Sequence, residues 1–199
     1  MPKRVDHQER RQQIADAICR LLGREGLDAV SLRQVAAEAG VSMGRVQHYF
    51  ATKDEMLSFA FRAVAERAER RIGAVAAAVE QPATPRSLLR AVLLEMLPLS
   101  PQSRFEAPVW VATLGKAVLV PEVAVPLRDD ADRFTDFVAE QITGVRGDGA
   151  DARRDAQALL ALVDGLMVHL LVGQLDEETA TALLDHQLDL VLGQMRQMR

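Results

Sequence analysis

The chain has 199 residues, 49% hydrophobic and 26% charged, long enough for a core without covalent help and too apolar for a disordered chain. Its single cysteine, Cys19, excludes an internal disulfide framework; no apolar run has membrane-span length and the N-terminus is polar, so the expected location is cytoplasmic. Net charge is −4, yet residues 1–62 carry ten Lys+Arg against eight Asp+Glu and the remainder 14 against 20, a mild asymmetry that permits a nucleic-acid partner for the N-terminal part.

Residues 8–25 place Ile14, Ala17, Ile18, Leu21 and Leu22 at helical spacing, with Arg10, Arg11, Arg20 and Arg24 mostly on other faces, and Gly26 stops the helix. Ser31 and Gln34 have capping-box spacing and open a short second helix through Leu32, Val35, Ala36 and Ala39 to Gly40. A third short helix starts near Ser42, with Val46 and Phe50 four apart on one buried face. Two short helices about a glycine-bearing turn make a helix-turn-helix.

Thr52 and Glu55 repeat the capping-box spacing, and the helix they open runs to about Val79. QPATP (81–85) interrupts it, Pro85 suits the first turn of a helix over about 86–97, and Pro98 and Pro101 end that one. Segments at about 103–119 and 122–143 flank Pro121, with Pro126 either breaking the second or delaying its start. GVRGDGAD (144–151) reads as a loop. A largely apolar helix over about 152–173 follows, and a last helix opens on Asp176, Glu177 and Glu178, acids favourable at a helix N-terminus, and runs to the end. The expected fold is all-α with about nine helices: a three-helix unit over 1–52 and a larger bundle over 53–199.

With Val46 and Phe50 inward, Met43, Gly44, Arg45, Gln47, His48 and Tyr49 must point elsewhere. Arg bonds bidentately to guanine and Gln to adenine, Met or a Gly backbone approaches a thymine methyl, and His and Tyr donate to phosphate. Gly44 removes a side chain where a helix would have to come close. These are the requirements of a helix lying in the major groove of duplex DNA, with Arg33 contributed by the preceding helix and Lys53 by the start of the following one.

The segment from Ile14 to Leu57, with SLRQVAAEAGVS, then YF and TKDEML, resembles the N-terminal domain of TetR-family transcriptional regulators. The resemblance covers roughly a quarter of the chain. It implies a dimer that reads a palindromic operator and is released when a small molecule enters the C-terminal domain. By position it implies base-reading or groove-facing roles for Arg33, Met43, Gly44, Arg45 and Gln47, and backbone contacts for Ser31, Ser42, His48, Tyr49 and Lys53. Many members have Tyr where this chain has Gln47, so the operator is not transferable from a relative. Lys3 and Arg4 suggest a basic arm.

A single reader makes too few phosphate contacts for tight specific binding, which favours duplication. The last two helices carry more apolar surface than one bundle needs and are the expected homodimer face, with Gln187, Asp189 and Gln194 at its rim. For an effector pocket the candidates are Met96, Trp110, Phe134, Phe137 and Met167, with His169 or Asp164 as polar anchor. An enzyme is not expected. Cys19 lies on the apolar side of helix one, His186 and Asp189 lack a third ligand, Asp129, Asp130 and Asp132 suit a solvated helix start, and no metal, cofactor or phosphate-loop motif occurs. The expected function is a ligand-responsive repressor; the alternative is a DNA-binding regulator or architectural protein without a ligand.

Overall fold

The computed structural model describes residues 3–27, 30–80, 82–147 and 151–193, with 3–9 taken by backbone alone. Among the described residues there are nine α-helices and no strand: α1 Lys3–Glu25, α2 Leu32–Glu38, α3 Met43–Tyr49, α4 Lys53–Ala78, α5 Pro85–Glu95, α6 Pro101–Ala117, α7 Pro121–Arg146, α8 Ala152–Leu171 and α9 Glu177–Val191. No single one is long and apolar enough to cross a membrane.

The expected caps form. Ser31 accepts from the Gln34 amide at 3.2 Å and Ser42 from that of Arg45 at 3.3 Å. Thr52 accepts from the Glu55 amide at 3.1 Å, while the Glu55 carboxylate accepts from the Ala51 amide at 2.8 Å. Gly26 and Gly40, with φ of 77° and 65°, sit in the left-handed region that ends α1 and α2.

Several boundaries differ from the sequence reading. α1 begins at Lys3, so Lys3 and Arg4 form its first turn instead of an arm preceding it. Pro101 opens α6 and does not merely close α5, because Ser100 and Ser103 cap each other's amides at 3.0 Å. α7 starts at Pro121 and passes through Pro126 without interruption. One proline costs one ladder bond, and a helix of 26 residues retains its other bonds and its buried face of Thr135, Val138 and Ile142. α7 also passes through Gly144, expected in the loop, and stops at Gly147, φ 80°. Gln194, expected at the rim, lies outside the described residues.

The chain divides into two compact units, Met1–Arg67 with Phe105–Ala124, and Ala68–Arg104 with Val125–Arg199. The first extends past residue 52 because Met56, Ala60 and Val64 of α4 and Val109 of α6 share one core with Ile14, Ile18, Val30, Val35, Val46 and Phe50. The second is built on Leu89, Val92 and Leu93 of α5, Val138 and Ile142 of α7, Leu159, Val163 and Leu166 of α8, and Leu184 and Leu188 of α9. In that unit α5 meets α9 through Arg86 to Asp189 and Arg90 to Asp185, both at 2.6 Å. Asp189, expected at a rim, is thereby tied within its own unit.

Candidate nucleic-acid interface

α3 is held by two anchors: Val46 and Phe50 are 0% and 1% exposed, which fixes the rotation of the helix about its axis. Burying two side chains of this size is worth about 1.5–3 kcal/mol each. The rotation leaves Met43, Gly44, Arg45, Gln47 and His48 facing solvent on a seven-residue helix, and a Cβ placed on Gly44 would meet no heavy atom within 4 Å. Arg33 on α2 is exposed too. The five outward residues of α3 thus form one surface, with a guanidinium, a carboxamide and an imidazole available to base edges and phosphates.

Ser31 and Ser42 are the caps of α2 and α3, so their hydroxyls already serve the helices they open. Tyr49 departs from the outward set: it is half-buried against the core, its ring centroid 6.3 Å from that of Phe50 and 5.6 Å from that of His48. Lys53 is half-buried and donates through Nζ to the Leu27 carbonyl at 3.1 Å, pinning the start of α4 to the end of α1.

Two arginines of α1 are committed internally. Arg20 Nε donates to Glu38 Oε1 at 2.6 Å and Arg24 Nη2 donates to Glu38 Oε2 at 3.0 Å, clamping α1 to α2. These two guanidinia hold the Glu38 carboxyl below the usual carboxylate range. Lys116 of α6 donates to Asp54 at 2.6 Å and likewise holds that carboxyl low, muting a negative charge beside Lys53. Sequence reasoning missed both clamps because their partners lie 14 to 62 positions apart.

The pocket candidates fall in both units. Trp110 belongs to the first, stacked on Phe61 with centroids 5.5 Å apart. Met96, Phe134, Phe137, Asp164, Met167 and His169 belong to the second. There Phe134 and Phe137 stack at 5.9 Å, Met167 is buried, Met96 half-buried and His169 exposed. Asp164 reaches solvent, yet the protein crowded around it withdraws enough water to push its carboxyl above the usual range. Cys19 is buried and its thiol is pushed up to about 12, mainly by burial, in keeping with a core residue.

Residues 14–60 match the profile described as bacterial regulatory proteins, tetR family, and residues 85–193 match BetI-type transcriptional repressor, C-terminal. The transcriptional regulator PksA of Bacillus subtilis is 34% identical over 85% of this chain and 82% of its own. A transcriptional regulator from Rhodococcus superposes with a TM-score of 0.77 at 31% identity, over 94% of this chain and 96% of that one. A regulator from Saccharomonospora viridis, solved in complex with choline, superposes with a TM-score of 0.77 at 26% identity, over 92% and 94%.

Proposed function

Because the chain belongs to the TetR family of bacterial regulatory proteins, with a BetI-type C-terminal domain, we propose that it is a ligand-responsive repressor. In this reading it binds a palindromic operator as a homodimer, in the cytoplasm, and is released by a small-molecule effector. Its relatives are transcriptional regulators and not enzymes. The observation that carries the proposal is the α3 surface: two buried anchors beneath and five solvent-facing residues above, with open space over Gly44. Arg45 and Gln47 read base edges with Arg33 of α2, Met43 and Gly44 allow close approach, and Ser31, Ser42, His48, Tyr49 and Lys53 meet the phosphates.

For the dimer, the support is an exposed, largely apolar outward side on each of the last two helices. On α8 it comprises Ala161, Val168 and Val172, and on α9 Ala182, Leu183, His186 and Leu190, all exposed on the sides opposite Leu166 and Leu188. A two-fold axis through such a face makes a four-helix interface and presents two readers to two half-sites.

For the effector, the support is the second unit's Phe134–Phe137 stack and the Asp164 carboxyl, together with the choline held by the Saccharomonospora viridis regulator. Apolar and aromatic faces with one acidic anchor suit a small organic cation. α4 supplies the path, since Lys53–Arg67 belongs to the reader's unit and Ala68–Ala78 to the other. An effector that prefers a form with the readers misplaced for half-sites one helical turn apart weakens operator binding by about 5- to 150-fold for 1–3 kcal/mol of coupling.

Selection of genomic fragments with the purified protein tests the reading. An inverted repeat with half-sites about one turn apart is expected. Absence of any enrichment in dilute buffer overturns it. Titrating choline first, then other small organic cations, into the operator complex tests release, and a panel in which no ligand raises the melting point or frees DNA removes the effector part.

A further inference from the structure

Three of the exposed large hydrophobic residues fall on one side of α6 and its C-terminal extension. Val118 and Leu119, at 84% and 81%, are the most exposed of them among the described residues, and Val111 follows on the same face of α6 at 41%. The chain continues in helical geometry past the end of α6, where the Val118 amide donates to the Leu114 carbonyl at 3.2 Å. Positions 111, 115, 118 and 119 therefore fall on one side, at spacings of four, seven and eight. The opposite side, Glu106 and Val109, is buried in the helix's own unit. Gly115 lies in the middle of the apolar stripe, exposed, and a Cβ there would meet nothing within 4 Å.

We infer that this α6 stripe, Val111, Gly115, Val118 and Leu119, is a second contact between two copies of the chain, packed about the two-fold axis against the same stripe of the other protomer. The inference rests on the dimer reading above and extends it to a helix of the first unit.

Area is the first argument. On α8 and α9, Val168, Val172, Leu183 and Leu190 are 44%, 64%, 40% and 45% exposed. Their combined surface is on the order of 300 Å², whereas each partner in a homodimer of standard size contributes about 800 Å², about 500 Å² of it apolar. The α6 stripe offers a comparable apolar area of its own. Shape is the second argument. A glycine within an exposed helix costs about 1 kcal/mol relative to alanine, and here it leaves a notch between Val111 and Leu119. Two helices crossing antiparallel at that notch set Val111 of each against Leu119 of the other, the self-complementary pattern a two-fold requires. A lipid surface fits less well. The stripe's neighbouring cation, Lys116, is engaged by Asp54, and the exposed acid Glu122 stands at its end, where an interfacial helix would carry unpaired Lys or Arg.

The test uses the full chain. Cys19 is buried, so Gly115→Cys introduces the one reactive thiol, at a site where the protomer has room for it. With a short bismaleimide it should become a covalent dimer while the parent protein does not. Leu119→Glu, checked for unchanged helicity, should raise the dimer dissociation constant in sedimentation at least about tenfold. Leu183→Glu should do the same through the α8–α9 face. Failure of Gly115→Cys to crosslink in a protein that sediments as a dimer and is split by Leu183→Glu overturns the α6 contact and leaves the α8–α9 reading standing. Crosslinking combined with an unaffected Leu183→Glu dimer keeps α6 and discards the other face, and a parent protein that is monomeric at micromolar concentration overturns both. Leu119-dependent sedimentation with anionic phosphatidylglycerol vesicles would give the stripe to a membrane and overturn the inference.

Discussion

Arg67 of α4 and Glu106 of α6 form a buried ion pair: Nη1 donates to Oε1 at 3.2 Å, with side chains 12% and 3% exposed. The same guanidinium donates through Nη2 to Asp16 Oδ1 of α1 at 2.7 Å. One cation thus joins the helix that leaves the reader to two helices of the reader's own unit.

Arg67→Met is expected to destabilise the protein by about 3–5 kcal/mol, because it removes the cation facing a buried carboxylate. Chemical denaturation measures it. The double variant Arg67→Met/Glu106→Met should recover most of the loss, since it leaves no fully buried charge behind and the remaining partner, Asp16, reaches solvent. A double variant no more stable than the single would show that Glu106 is not the group that suffers.

Gly44→Ala is expected to leave folding unchanged or to raise stability by up to about 1 kcal/mol, as alanine is the better helix former and the site is open. Gly44→Leu should fold equally well and bind operator at least about tenfold more weakly, because its side chain occupies space the groove would take. Anisotropy titration and thermal melts on the same samples separate the two effects. Undiminished binding by Gly44→Leu would remove α3 from the groove.

Arg45→Ala is expected to cost about 1–3 kcal/mol of operator affinity and to relax preference at one base pair. Lys53→Ala should weaken all sequences alike and lower the salt slope by about one. It should also lower the melting temperature, since Nζ is bonded to the Leu27 carbonyl at 3.1 Å. Binding-site selection at two salt concentrations reads affinity, preference and slope, and a thermal melt reads the fourth quantity.

Cys19 gives a pH dependence of definite sign. Its thiol lies at about 12 in the folded protein against an ordinary 9.0, so the folded state holds the proton more tightly than the unfolded chain does. The contribution is full below pH 9 and is lost as pH rises from there toward 12. Denaturation midpoints of the parent protein should fall over that window by more than those of Cys19→Ala. A thiol reagent at pH 8 should leave the native protein unlabelled and react once it unfolds.

The α3 surface was legible in the sequence because its determinants are local. Ser42 caps three residues ahead, Val46 and Phe50 are one helical turn apart, and Gln47 and His48 between them are turned outward by that anchoring. The half-burial of Tyr49 was not legible, because whether a residue at the edge of a helix faces solvent or core depends on what packs beside it, and here it lies against the core cluster. Prolines misled in the same way. Pro126 and Gly144 have unfavourable local propensity, but a long helix with a buried face absorbs one missing bond or one flexible residue.

By itself the sequence determined a fold of about nine helices, the caps at Ser31, Ser42 and Thr52, and the outward placement of Met43, Gly44, Arg45, Gln47 and His48, since each follows from spacings of three to four residues within one segment. Only the tertiary structure decided which cations are paired with carboxylates: Arg20 and Arg24 with Glu38, Lys116 with Asp54, Arg67 with Asp16 and Glu106. It also decided that Val118 and Leu119 stand uncovered. Ion pairing and burial depend on distances in space between residues far apart along the chain, and no local periodicity encodes those distances.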